Sequence, residues 1–354
     1  MIQVLKGHIV QTPALGRLEI TENGYLVLQD GVIAGVYHTL PDGYGDAPLL
    51  DYGDKLIMQS FADMHLHAPQ YPMLGMGMDL PLLDWLNTYT FPTESRFADP
   101  DYARRTYRRL ASDLITNGTT RVCMFSSLHT EATWILMEEL ERAGVTGYVG
   151  KVNMDRNGLP GVLQETTEES VRETLRWLEG CHFAHVKPII TPRFTPSCTD
   201  ELMAELGRIA REKGLYVQSH LSESLGEIEW VRQLHPECQR YWETYDKYGL
   251  WKDHTLMAHC VHSDAAERKA IRDANVVVVH CGDSNVNICS GVCPVRRMLD
   301  EGLWVTLGSD IAGGAQLPMY KVIATSIRTS KVRRISDDWQ TDFLTVAEGY
   351  YLGT

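Results

Sequence analysis

Over residues 1–55, apolar and polar positions alternate. VLKGHIVQT, GRLEITENGYLVLQDGVIAGVYH and the turn-rich PDGYGDAP read as short antiparallel strands parted by Gly, Asp and Asn turns. Near residue 56 the period changes without a strong linker. Continuous apolar, β-branched runs then recur at 56–63 (LIMQSFAD), 119–125 (TTRVCMF), 146–152, 185–191, 215–220, 254–259, 275–280 and 303–310. Such runs suit strands buried on both faces, as in parallel sheets. Helical spacing fills the intervals 99–116, 130–143, 167–179, 199–213, 223–245, 264–274 and 293–301. Asp99 before Pro100, and Ser197-Cys198-Thr199 before Asp200-Glu201, are helix-start signals.

Strands alternating with helices predict an α/β chain whose main body, residues 56–332, is a closed (β/α)₈ TIM-type barrel. Residues 1–55 are expected to form the N-terminal part of a small β domain. Residues 333–354 are expected to begin a C-terminal segment that leads back to it. Residues 64–98 make a connection too long for an ordinary βα loop and are expected to cover the barrel mouth.

Composition narrows the function. Lys+Arg total 33 against 46 Asp+Glu, a net charge of −13, which gives no general attraction to nucleic acid or anionic membranes, so neither is expected as a partner. A hydrophobic content of 44% and charged content of 22% are ordinary for a globular chain. No apolar run approaches the ~20 residues of a membrane span. The N-terminus MIQVLKGHIVQTPALG has neither the basic nor the apolar region of a signal peptide, so a cytoplasmic location is expected. The 8 cysteines include no CxxC and are expected to be reduced thiols.

The 13 histidines matter more, because several stand where strand patterns stop. His65 and His67 follow the first run, His220 ends the fifth, His259 the sixth and His280 the seventh, while Asp310 ends the eighth. In a (β/α)₈ barrel these strand ends converge on one mouth. His65 and His67, two apart on extended chain, point to one side. Two such imidazoles, a third from across the barrel and a carboxylate make an N₃O set suited to Zn²⁺, with Fe²⁺ second. Glu223, three residues after His220, stands where a carboxylate could move protons at a metal-bound water. The plainer role for such a Glu is a first-turn partner of the helix dipole.

At these residues the chain resembles the amidohydrolase superfamily and, within it, the guanine-deaminating branch. The resemblance rests on Asp63-Met-His-Leu-His-Ala-Pro-Gln-Tyr71, the segment from Asp79 through Leu-Pro-Leu-Leu-Asp-Trp to Glu94, Lys187-Pro-Ile-Ile-Thr-Pro-Arg-Phe-Thr-Pro-Ser-Cys198, Gln218-Ser-His-Leu-Ser-Glu223 and Gly308-Ser-Asp-Ile-Ala-Gly-Gly314. It implies that His65, His67, His220 and Asp310 hold one metal ion, that Glu223 shuttles protons, and that His259 and Asp310 assist catalysis at the attacking water. Gln70, Arg193 and Phe194 would contact the purine, with Trp85 a further aromatic wall. The implied reaction is hydrolysis of a small molecule, guanine, to xanthine and ammonia, and the resemblance also implies a homodimer of such barrels. Alternatives are deamination of another amino-heterocycle (a pterin, cytosine or a triazine) or a non-catalytic assembly protein on the same scaffold. For Arg193 alone, the plainer role is a surface ion pair.

Three departures from the family pattern stand out. Gly282-Asp283 replaces the usual Pro-Asn, His262 stands where an aromatic is expected, and the sequence stops at Thr354 where relatives continue for several tens of residues. The β domain is accordingly expected to be incomplete.

Overall fold

The computed structural model describes residues 1–337 and 341–354, so residues 338–340 of the expected C-terminal segment lie outside the described residues. The chain divides into two compact units. One comprises Met1–Ser60 with Thr345–Leu352 and Thr354; the other comprises Phe61–Leu344 and Gly353.

In the smaller unit a four-stranded sheet has the order Val32–Tyr37, Arg17–Gln29, Ile2–Ala14, Leu49–Met58. The first two pairings are antiparallel as expected, but Leu49–Met58 lies parallel to Ile2–Ala14, and two of the strands run for 13 residues rather than a few. The 38–48 connection carries the chain from one sheet edge to the other, and such a crossover gives a parallel neighbour where a tight hairpin cannot. A register shift between Gly7 and Ile9 lets both Val4 and Ile9 be buried, although simple alternation would put them on opposite faces.

The larger unit holds two four-stranded parallel sheets. One contains Phe61–His67, Thr119–Phe125, Thr146–Gly150 and Val186–Pro188; the other contains Gln218–Leu221, Leu256–His259, Val277–His280 and Trp304–Leu307. Ile190 bridges to Val217 on one side, and Asp310 N–H donates to the His65 carbonyl (2.8 Å) on the other. Helices lie between successive strands, among them Pro100–Thr116, Thr130–Ala143, Thr167–Glu179 and Asp200–Lys213. The arrangement is consistent with a TIM-type barrel. Among the described residues, no helix is long and apolar enough to cross a membrane.

Two expectations need correction. The run 56–63 is not one strand: Leu56 and Met58 are 63% and 41% exposed at the end of the small sheet, and the buried parallel strand starts at Phe61. An apolar run does not show where one sheet hands the chain to another. The single helix expected over 223–245 is instead Leu225–Leu234 and Glu243–Asp246. Pro236 disfavours helical backbone at His235 and supplies no N–H to continue the ladder.

Candidate metal centre and active site

The ends of the parallel strands bring the predicted residues together. His67, Gln70, Trp85, Arg193, Phe194, His220, Glu223, His259 and Asp310 line one cavity. His65 is buried beside His67, His220 and His259, with ring centroids 5.1, 4.8 and 5.5 Å away. Phe125, which ends the second parallel strand, backs the cluster, its ring centroid 4.7–5.0 Å from those of His65, His67 and His220.

His65 and His67 come from the first strand, whose end is tied to the segment after the eighth. Asp63 accepts from Ser309 N–H (2.9 Å) and from the Ser309 hydroxyl, and His67 N–H donates to the Ile311 carbonyl (3.0 Å). Gly308 permits this approach, because a Cβ there would lie 2.7 Å from the His65 Cβ. The eighth strand stops at Leu307, so Asp310 belongs to the turn beyond it and adopts a left-handed φ of 47°. His259 also has a left-handed φ, 73°. Strained backbone of this kind persists where surrounding contacts enforce it.

The donor atoms converge closely. His67 Nε2 lies 3.1 Å from His220 Nε2, and Asp310 Oδ1 lies 3.2 Å from His65 Nε2 and 3.6 Å from His67 Nε2. His220 Nδ1 donates to the Arg193 carbonyl (2.6 Å), which leaves its Nε2 as a bare lone pair facing another imidazole nitrogen. His65 Nε2 and His67 Nδ1 are buried without a hydrogen-bond partner. Bonds of about 2.0–2.1 Å to zinc in tetrahedral geometry separate ligand atoms by ~3.3 Å, the spacing seen here. Both His65-His67-His220 and His65-His259-Asp310 form groups whose ligand atoms lie within 4.8 Å of one another. The residues therefore suit a cation.

Electrostatics point the same way. Burial holds His65 below the ordinary imidazole pKa and His67 and His220 well below it, so all three favour the neutral, ligating form. Burial alone would raise Asp310, but its contacts with His65, His259 and His67 keep it low and ionised. Burial raises Glu223, opposed by His259. His259 is raised: burial works against this, but Glu223 and Asp310 lie 3.5 and 3.8 Å from its Nε2 and outweigh it.

A second group of residues forms the side wall. Arg193 is buried and makes an ion pair with Glu94 rather than a surface one, with Nη1···Oε2 at 2.7 Å and Nη2···Oε1 at 3.1 Å. Gln70 Nε2 donates to Glu94 Oε1 (2.9 Å), while Gln70 Oε1 accepts from Ala312 N–H (2.9 Å). The guanidinium sits 5.3 Å from the Phe91 ring centroid. Trp85 spends its indole N–H on the Met76 carbonyl (3.0 Å), so it offers the cavity only an apolar surface.

Glu94, Asp63, Asn285 and Ser290 are site residues without an assigned role in the sequence alone. Glu94 had a signal, since a carboxylate ending an apolar motif needs a partner if buried. Asn285 Oδ1 accepts from His259 Nδ1 (2.8 Å), and Ser290 Oγ donates to Glu223 Oε1 (2.9 Å); no local pattern distinguishes either residue. His280 is buried with neither ring nitrogen hydrogen-bonded, and it does not line the cavity. Asp283, in the Gly282-Asp283 departure, accepts from Ala315 N–H (2.8 Å).

Residues 56–346 match the Amidohydrolase family. A guanine deaminase of Dictyostelium discoideum is 37% identical over 100% of this chain and 83% of its own length. A guanine deaminase of Mus musculus is 41% identical over 85% of this chain, and the match spans 66% of the mouse protein. The crystal structure of guanine deaminase from C. acetobutylicum with guanine bound in its active site superposes with a TM-score of 0.97 at 44% identity, over 100% of this chain and 85% of that one.

Proposed function

The chain belongs to the amidohydrolase family, and on that premise we propose that it hydrolyses guanine to xanthine and ammonia in the cavity at the strand ends. His65, His67, His220 and Asp310 hold one divalent cation, Zn²⁺ in the first instance and Fe²⁺ as the alternative. Support for a single ion comes from the fourth strand, where Lys187 is exposed and donates to the Phe183 carbonyl (3.0 Å) instead of entering the cluster. A cation bound by such a set would lower the pKa of its bound water toward roughly 7.

The remaining chemistry falls to the protein's own side chains. Phe194 or Trp85, both lining the cavity, supplies apolar surface to a flat face of guanine. Arg193 gives two N–H groups to Glu94 and keeps others for the purine O6. Gln70 has its oxygen on Ala312 and one amide hydrogen on Glu94, so its second amide hydrogen is what it offers the base. Glu223 takes a proton from the attacking water as oxygen adds to C2, and delivers that proton to the ring nitrogen. His259 and Asp310 steady the tetrahedral carbon and help a second proton reach the amino group. The C2–N bond then breaks, ammonia leaves and the ring carbonyl of xanthine remains.

One observation carries this reading: His67, His220 and Asp310 of the cation-suited set and the Glu94-held Gln70 and Arg193 line the same cavity. The test is ammonia release from guanine by the metal-loaded protein, alongside a pterin, cytosine and a triazine, with metal counted per chain. A guanine rate no better than its rivals would remove the substrate assignment, and two ions per chain would remove the mononuclear one. A homodimer and a cytoplasmic location are part of the same proposal; sedimentation checks the first and fractionation the second.

A further inference from the structure

Glu223, on the proposed reading, must carry a proton between two points, and the structure grips it at both ends. Its backbone N–H donates to Glu227 Oε2 (2.8 Å), the carboxylate of the capping box that starts Leu225–Leu234. The Tyr241 hydroxyl donates to the other oxygen of Glu227 (2.7 Å). At the side-chain end, Glu223 Oε1 accepts from the Ser290 hydroxyl (2.9 Å). This leaves Oε2, 3.5 Å from His259 Nε2, turned toward the reacting groups.

Ser290 is 4% exposed and lies in a tight turn between Cys289 (φ 60°) and Gly291 (φ 129°). His262 holds that turn. Its Nε2 donates to the Ser290 carbonyl (2.7 Å), and its backbone N–H donates to the carbonyl of Ser222, the residue before Glu223 (3.0 Å). Its ring packs beneath Gly291, where a Cβ would lie 3.5 Å from His262 Cε1. One residue therefore bonds both to the loop that bears Glu223 and to the loop that bears its hydroxyl partner. A purely hydrocarbon aromatic ring at 262 could fill the space but could not donate to the Ser290 carbonyl.

We infer that Ser290 is a positioning residue for Glu223, and that His262 staples the two loops so that the Glu223 carboxylate keeps one oxygen anchored and presents the other to the reaction. The terminal torsion of a Glu is soft and nearly two-fold, so without an anchor either oxygen can turn away from the reacting centre. Reacting groups misplaced by about 1 Å can cost on the order of 10²-fold in rate. Loss of one anchor among several should cost less.

The experiment uses the intact, metal-loaded protein. Ser290→Ala should lower kcat about tenfold while KM, metal content and thermal midpoint stay close to wild type, and Ser290→Thr, which keeps the hydroxyl, should restore most of it. His262→Phe should lower kcat several-fold in the same selective way, and His262→Gln, which keeps a donor, should recover part. The inference rests on Glu223 as proton carrier, yet it fails separately from the substrate assignment. Wild-type turnover of guanine tests that assignment, while variant-to-wild-type ratios test the staple on whichever amino-heterocycle the wild type turns over. An unchanged kcat in Ser290→Ala, or a loss shared equally by kcat, KM and metal content, would overturn it. If Ser290→Ala folds poorly, the His262→Phe and His262→Gln pair decides by the same criteria.

Discussion

The cation-suited cluster and the Gln70–Glu94–Arg193 group beside it solve opposite electrostatic problems. In the cluster, imidazole nitrogens face one another at 3.1 Å, and two further ring nitrogens have no hydrogen-bond partner. His220 spends its Nδ1 hydrogen on the Arg193 carbonyl, so its Nε2 faces the cluster as an acceptor, and His67 Nε2, His65 Nε2 and Asp310 Oδ1 converge beside it at the spacing that suits a cation. In the wall, the Glu94 carboxylate is satisfied from within by Arg193 and Gln70. The first region thus depends on what it binds, whereas the second is finished before substrate arrives and offers a fixed pattern of leftover donors. One fold can hold both because the cluster comes mainly from strand ends, while the wall adds residues from the long connection after the first strand.

The sharpest way to break this contrast is to remove a donor from the cluster. His220→Ala should abolish metal retention and deaminase activity together, read by metal analysis and ammonia release; a metal-replete, active variant would show that the donors are not a single set. Chelation of the wild type should do the same and also lower its thermal midpoint, because a ligand that binds only the folded state stabilises it. Next in size is Glu223→Gln, expected to keep its metal and lose about 10²–10⁴-fold in kcat, the usual contribution of one general acid–base group. Loss of the metal in that variant would place Glu223 in the cluster itself.

Glu94→Gln tests the wall. It leaves the Arg193 charge buried beside a neutral amide, a change that typically costs about 3–5 kcal/mol, so denaturant midpoints should fall and KM for guanine should rise more than kcat drops. Metal content should not change, and if it does, the two regions are not separable. The smallest effect is with acid. Burial, followed by the charge of His259 for His280 and of Lys151 for His129, brings both imidazoles down to about 4. Their folded pKa lies below the unfolded value of about 6.5, so the unfolded chain binds protons more readily in between. Their contribution to stability is full above about pH 6.5 and is lost as pH falls toward 4. Urea midpoints at pH 7, 5.5 and 4.5 should show this decline, and His129→Gln should flatten part of it.

The cluster was far more legible in the sequence than the wall. His65, His67, His220, His259 and Asp310 each follow a short apolar run, and one rule about strand ends brings them together. Nothing of that kind reaches Glu94, whose partner lies 99 residues away, or Asn285 and Ser290, which matter only through the residue each one touches. Arg193 and Gln70 stand out only through motif resemblance, and their wiring to Glu94 is tertiary information. The same limit applies to the fold. Thr119–Phe125 and Thr130–Ala143 coincide with their apolar patterns, whereas the handover at residues 58–61 leaves no mark in hydrophobicity.

The tie between Asp63 and Ser309 spans 246 residues. During synthesis from the N-terminus, the paired imidazoles leave the ribosome long before the aspartate that completes their set. On the proposed ligand set, a growing chain would offer an ion only a partial grip until the last strand docks against the first. Acquisition of the ion would then be a late step in maturation, and half-made copies would be kept from performing hydrolysis.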